Sequence, residues 1–255
     1  MQRIGRRTLT GVRLAGSLLA LGIHGATALA GSEVLTITTE DLPPFNMQQD
    51  GKMAGISTDM LVAALGQAHV GYRISLYPWL RAYEMALKDT STCVYSTTYT
   101  PERAPLFKWV GPLAKDNWVV FALAGNQTSI RSLDDLRGYH IGTGKGDALA
   151  LFLKKEGFEV DEVVHPAAAA NDLNIKKLES GRIDFWAAGR LTGSYAAAQL
   201  GFSNLKEVLS IKESALYLAC NKSVSDEMVA DLNAALRNLS AGGVQPGLAK
   251  SAGTP

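Results

Sequence analysis

Along the chain, short apolar runs of strand length are followed repeatedly by segments whose apolar residues recur at helical spacing. The run 33–40, EVLTITTE, predicts a strand that leads into a turn at Pro43 and Pro44. After a turn at 50–55, DGKMAG, the segment 57–68 places Met60, Leu61, Ala64, Leu65 and Ala68 on one helical face. YRISLY (72–77) predicts a strand, WLRAYEMALKD (79–89) a helix, and TCVYSTT (92–98) another strand. The order β-α-β-α-β is that of helices packed on a largely parallel sheet.

A second unit of the same kind follows. NWVVFALAG (117–125) predicts a strand, and SLDDLRG (132–138) a short helix with Ser132 and Asp135 placed as a capping box. Strands at 139–144, 158–164 and 183–189 alternate with helices at 147–157 and 171–181, closed by Gly157 and Gly181. A strand at 214–221 and a helix at 225–240 complete the pattern. No low-complexity linker separates the halves. The expectation is an α/β fold of two lobes sharing a hinge, each a mainly parallel sheet flanked by helices. Lobe 1 takes 32–112 with 193–255, and lobe 2 takes 113–192. Ligands of such sheets bind outside the carboxyl ends of the strands.

Composition changes this picture at the amino terminus. Of the 255 residues, 1–30 read as a cleaved export signal: Arg3, Arg6, Arg7 and Arg13 lead into LAGSLLALGI and an A-x-A cleavage site after Ala30. The apolar run is too short to read as a membrane span. Loss of four arginines from 25 Lys+Arg, against 24 Asp+Glu, leaves a net charge of about −3. That balance gives no footing for nucleic-acid binding, and a hydrophobic fraction of 47% suffices for a full core. Cys93 and Cys220 both fall in strand-like runs. In an oxidising compartment they pair if those strands are neighbours; otherwise they are two buried thiols. Neither the cysteines nor the scattered histidines have metal-ligand spacing, and the sequence calls for no cofactor.

The chemistry concentrates at TTYTPERAPLFKW, 97–109. Thr100, Pro101 and Glu102 suit a helix start, whereas Arg103 is a cation at the wrong end of a helix dipole. An anion, from protein or ligand, has to compensate it, and a guanidinium fork fits a carboxylate. Ser96, Thr97 and Thr98 supply hydroxyls beside it. Trp79 begins the helix after Pro78 and can wall a cleft, with Arg81 near the same rim. The turn GTGKGDALALF feeds a helix and offers free amides, yet matches neither the dinucleotide nor the P-loop spacing. Asp147 at its end either caps the helix or faces a ligand, and Arg190 after the 183–189 strand faces either the cleft or water. No Ser-His-Asp order or cysteine–histidine pair is present, so no catalytic residue is assigned.

Taken together, LTITTEDLPPFN, DGKMAGISTDML, STTYTPERAPLFKW, LDDLRGYHIGTGKGD and LESGRIDFWAAG resemble, in order, motifs of the bacterial extracellular solute-binding proteins of family 3. These are the polar amino-acid binders of ABC transporters. The resemblance covers most of the mature chain. It implies a type II periplasmic binding protein, monomeric, closing on a small polar solute and handing it to an inner-membrane permease. The family's carboxylate-binding arginine falls on Arg103, its strand contacts on Ser96 and Thr98, and its stacking aromatic on Trp79. Leu42 stands where the family has an aromatic wall. Asp147 and Ala148 stand where it has small hydroxyl residues, and Gly189 with Arg190 where it has an amine-binding aspartate. These departures leave Asp147 for an amine and Arg190 for a second acid. Some relatives are dehydratases of cyclic dienyl acids, a rival that needs a general acid among Glu40, Asp41 and Asp147; a sensory module is the other rival.

Overall fold

The computed structural model describes residues 1–2, 34–164 and 167–243. The expected export signal and its cleavage point lie outside the described residues apart from Met1 and Gln2, as does His165. The chain begins its fold with β1 (Leu35–Thr39), whose Leu35 and Ile37 are fully buried. The turn read at 50–55 is the tip of a hairpin, β2 (Met47–Gln49) and β3 (Lys52–Ala54). Then come α1 (Ile56–Gln67), β4 (Tyr72–Leu76), α2 (Trp79–Lys88) and β5 (Thr92–Thr98). The helical face read from the sequence is the buried one, with Met60, Leu61, Ala64 and Leu65 against β1 and β5.

After β5 the chain enters β6 (Lys108–Leu123), then β7 (Ile141–Gly144), α3 (Ala148–Lys155), β8 (Val160–Val163), α4 (Ala167–Glu179), β9 (Phe185–Gly189), α5 (Arg190–Gln199), β10 (Leu205–Cys220) and α6 (Asp226–Ala241). One eight-stranded sheet runs β4-β1-β5-β10-β6-β9-β7-β8. Its two ends are parallel, β4-β1-β5 and β9-β7-β8, and its centre is antiparallel, through β10 and β6. Both faces are covered by helices, as parallel strands require. Among the described residues no helix is long and apolar enough to cross a membrane.

The strands β6 and β10 depart most from expectation. Each has 16 residues, where the sequence suggested two short strands. They pair from Leu205–Leu123 to Cys220–Lys108 and carry the chain from one end of the sheet to the other. Polar residues in their middle, Asp116, Asn117, Glu213 and Ser214, break the apolar pattern and hide the continuity. The expected boundary at 192/193 is corrected for the same reason. Ala196, Ala197, Phe202 and Leu205 pack with Val119, Phe121 and Trp186, and Val208, Leu209 and Ile211 with Trp118 and Phe185. Residues 193–211 therefore belong with the 113–192 half, and the return crossing comes at about 212–216. The segment 100–106 is a turn followed by a single 3-10 turn, Ala104–Leu106, rather than the helix its Thr-Pro-Glu suggested.

Cys93 and Cys220 face each other across β5 and β10 and are joined in a disulfide that links residues 127 apart in sequence. A cross-link of that span restricts the unfolded chain strongly. We expect the Cys93→Ala/Cys220→Ala double variant to lose about 2–4 kcal/mol of unfolding free energy in urea titration, with unchanged secondary structure.

Candidate functional site

The carboxyl ends of β1 and β5 on one side, and of β7 and β9 on the other, open onto a single cavity at the β6–β10 crossing. Glu40, Trp79, Ser96, Thr98 and Arg103 line it from the first half, and Asp147, Ala148 and Gly189 from the second. Seven of the nine ligand-binding residues expected from sequence are thus brought together. The other two are not. Arg81 is exposed and lies over the Tyr77 ring at 4.7 Å. Arg190 points along α5 toward β10, where Glu207 accepts two hydrogen bonds from it at 2.7 Å. A nearby acid on a neighbouring strand takes the guanidinium away from the cavity.

Arg103 is only 6% exposed, and among the described residues it forms no ion pair. Its Nη1 donates to the Thr98 carbonyl and its Nη2 to the Gly146 carbonyl, each at a long 3.3 Å. The guanidinium lies 5.3 Å from the Trp79 ring and 5.2 Å from the Tyr83 ring, which fixes its plane. Glu102, the acid beside it in sequence, turns outward to Lys155 at 2.6 Å. Burial pulls the Arg103 pKa down, while Tyr83, Asp147 and Glu40 push it up. A guanidinium stays charged under such opposing influences.

The local chain geometry keeps polar groups aimed inward. Ser96 has a left-handed backbone, φ 55°, a conformation that serine adopts only where the surroundings impose it. Its buried hydroxyl has no hydrogen-bond partner. Gly146 also has positive φ, 76°, and a Cβ there would stand 2.7 Å from the Leu80 side chain. Only glycine lets this turn approach α2 so closely that its carbonyl accepts from both Trp79 Nε1, at 3.2 Å, and Arg103. Asp147 occupies the N-cap position of α3 without a capping side-chain bond, so its carboxylate is left to the cavity.

Sequence reading missed Asp116, Trp118, Asn171, Thr192 and Ser214, all on the cavity wall. Asp116 had a visible signal, the one acid in the 108–123 run; Ser214 had none until β10 was known to run past it. Asp116 is 8% exposed, and burial raises its pKa to about 6 against backbone amides of Leu191 and Asn117 that lower it. Asp147 is likewise pushed by burial to about 6, with Arg103 opposing and Glu162 adding to the rise. Burial and then Asp147 hold Glu40 well above the ordinary carboxylate range. Neighbouring buried carboxyls of this kind share protons rather than all ionise.

These raised values set a sign for pH dependence. A carboxyl that binds its proton more tightly when folded contributes stability that is complete below its unfolded pKa and lost as pH rises through its folded one. For Asp116 that window runs from 3.8 to about 6. Acidifying from pH 7.5 to 5 should therefore raise the thermal midpoint of the unliganded protein. Asp116→Asn should flatten that rise and stabilise the protein at pH 7.5 by up to about 3 kcal/mol. Scanning calorimetry across the range checks it, and a midpoint falling monotonically with acid would contradict it.

Known proteins agree with this architecture. The chain is 25% identical over 197 residues to the L-cystine-binding protein TcyJ of Escherichia coli (strain K12), covering 68% of this chain and 73% of that one. Its fold is similar to a histidine kinase sensor domain with similarity to periplasmic binding proteins (TM-score 0.74, 19% identity, 82% and 91% of the two chains). It is also similar to an ancestral arginine-binding protein bound to arginine (0.70, 22%, 83% and 94%). The GluR0 ligand-binding core of Nostoc punctiforme in complex with L-glutamate shares the fold too (0.69, 24%, 82% and 94%). With residues 34–250 matching their common pattern, the chain belongs to the bacterial extracellular solute-binding proteins, family 3.

Proposed function

We propose that the chain is a periplasmic solute-binding protein that closes on a small amino-acid-like solute and delivers it to an ABC-transporter permease in the inner membrane. One observation carries this reading: Arg103 is buried in the cavity, held by two aromatic rings and two long carbonyl contacts, and forms no ion pair among the described residues. A guanidinium whose neighbouring acids stand beyond ion-pair contact keeps its donor fork open, and the solute's carboxylate fits that fork. Ser96, whose hydroxyl has no partner, and Thr98 add hydrogen bonds beside it. The relative named for L-cystine supports an amino acid as solute.

Closure follows from where the chain crosses. The two halves touch the solute together, and among the described residues the strands near 112–116 and 212–216 join them across the sheet. Binding energy realised only when both halves engage shifts the population toward the closed form. The lobes of this motion are 34–112 with 217–243, and 113–211. The protein acts as a monomer, and the permease reads the closed shape. A sensory role would use the same motion, and uptake of labelled solute by cells with and without the chain separates the two.

A second reading draws on Glu40, a buried acid whose proton affinity is raised by burial and by Asp147. It is the group an acid-catalysed loss of water from a cyclic dienyl acid would need. Product formation from prephenate would favour it; saturable binding without product favours the carrier.

Arg103→Met keeps the packing against Trp79 and Tyr83 and removes the charge. It should weaken binding of the best amino-acid ligand at least about 30-fold in calorimetric titration, with the unliganded melting temperature close to wild type. Equal affinity in wild type and variant would remove the basis of this reading.

A further inference from the structure

The cavity contains more negative charge than its own buried cation can answer. Glu40 and Asp116 are 7% and 8% exposed, and Asp147 stands with them on the wall. Arg103 is the cation buried among them, while Lys145 lines the cavity from an exposed position. With all groups ionised, three carboxylates against one guanidinium leave an excess of about two negative charges, which a desolvated site does not tolerate without a compensating cation or proton.

Asp116 shows most directly where a ligand cation would sit. Its Oδ1 accepts from the backbone amides of Asn117 at 2.7 Å and Leu191 at 3.1 Å. No side-chain donor among the described residues reaches Oδ2, although the residue is more than nine-tenths buried and lines the cavity; the Arg190 backbone amide and guanidinium also favour its charged form. That oxygen stands 2.2 Å from where a Cβ at Gly189 would be. The absence of a side chain at 189 is what gives this carboxylate its place at the end of β9. The nearest guanidinium, Arg190, is held by Glu207. Asp116 is therefore an acceptor oriented by backbone amides, with no ion pair and no side-chain donor among the described residues.

The second pair of acids is Glu40 and Asp147, which line the cavity from opposite halves; Asp147 raises the proton affinity of Glu40, and Arg103 acts on both. Leu42, Phe45 and Trp118 supply apolar wall. An aliphatic chain between two polar ends fits such a lining.

We infer that the solute carries two cationic centres and a single carboxylate, with the carboxylate on Arg103, one cation on Asp116, and the other between Glu40 and Asp147. This is the class of basic amino acids, diamino or guanidino. The inference rests on the amino-acid-binding reading of the site and adds Asp116 as a residue that determines specificity. A ligand of net charge +1 lowers the excess to about one, and a proton shared by Glu40 and Asp147 accounts for the remainder.

Calorimetric titration of the full mature chain, freed of bound solute by unfolding and refolding, tests this with L-lysine, L-ornithine, L-arginine, L-glutamine, L-glutamate and L-cystine. At least one basic amino acid should bind tenfold or more tightly than glutamine, glutamate and cystine. Asp116→Asn keeps Oδ1 as an acceptor for both amides; it should weaken the basic ligand at least tenfold and change glutamine affinity far less. Should that variant fail to fold, Glu40→Gln is the second arm and should show the same selective loss. Tighter binding of glutamine, glutamate or cystine, or wild-type affinity in a folded variant, overturns the inference while leaving an amino-acid-binding protein. Absence of binding by every amino acid overturns the proposed function as well.

Discussion

The pairing of β6 with β10 is the constraint on which the rest of the molecule depends. Each strand begins in one half and ends in the other, and their antiparallel register runs from Leu205–Leu123 to Cys220–Lys108. Parallel strands can then be added outward on both sides, so that the carboxyl ends of β1 and β5 face those of β7 and β9 across the crossing. Ligand sites of α/β sheets lie outside such ends. Here two sets of ends converge on one cavity, with Asp116 and Ser214 of the crossing strands forming part of its wall.

The site is polar because its surroundings are apolar. The first half is built on Leu35, Ile37, Leu61 and Leu65, and the second on Trp118, Val120, Ile141, Leu153 and Phe185. These cores hold rigid the strand ends that carry Ser96, Arg103, Asp147 and Asp116. Charges in that setting are neither solvated nor, for Arg103 and Asp116, ion-paired within the described protein. The left-handed Ser96 backbone and the close approach of Gly146 to α2 are local costs borne by the same packing. Family membership and this geometry point the same way, toward a binding role for the protein.

The disulfide and the surface pairs have a different role. Cys93–Cys220 ties β5, which carries Ser96 and Thr98, to the last strand of the same half. Glu102–Lys155 and Arg190–Glu207 are partly or fully exposed and contribute little individually. Their importance is in placement. Each gives a neighbouring charge an external partner, leaving Arg103 and three carboxylates on the cavity wall with the exposed Lys145.

Much of this was legible in the sequence. Helical spacing in 57–68 and the strand-length runs at 35–39 and 92–98 marked local structure, because burial of one face leaves a periodic record whatever lies opposite. The oddly placed cation at 103 and the hydroxyls at 96 and 98 marked residues that the fold brings to the cavity wall. Whether Asp147 capped a helix or faced a ligand, whether Arg81 and Arg190 reached the cavity, and whether Cys93 met Cys220 all depended on which strands became neighbours. Asp116 is the clearest case. In the sequence it is a lone acid in a strand, and it became a site residue only because β9 ends in a glycine whose missing side chain leaves room for it. Periodicity records what one residue does to its own segment. Convergence of residues distant in sequence is decided by sheet order, and the local pattern carries no record of that.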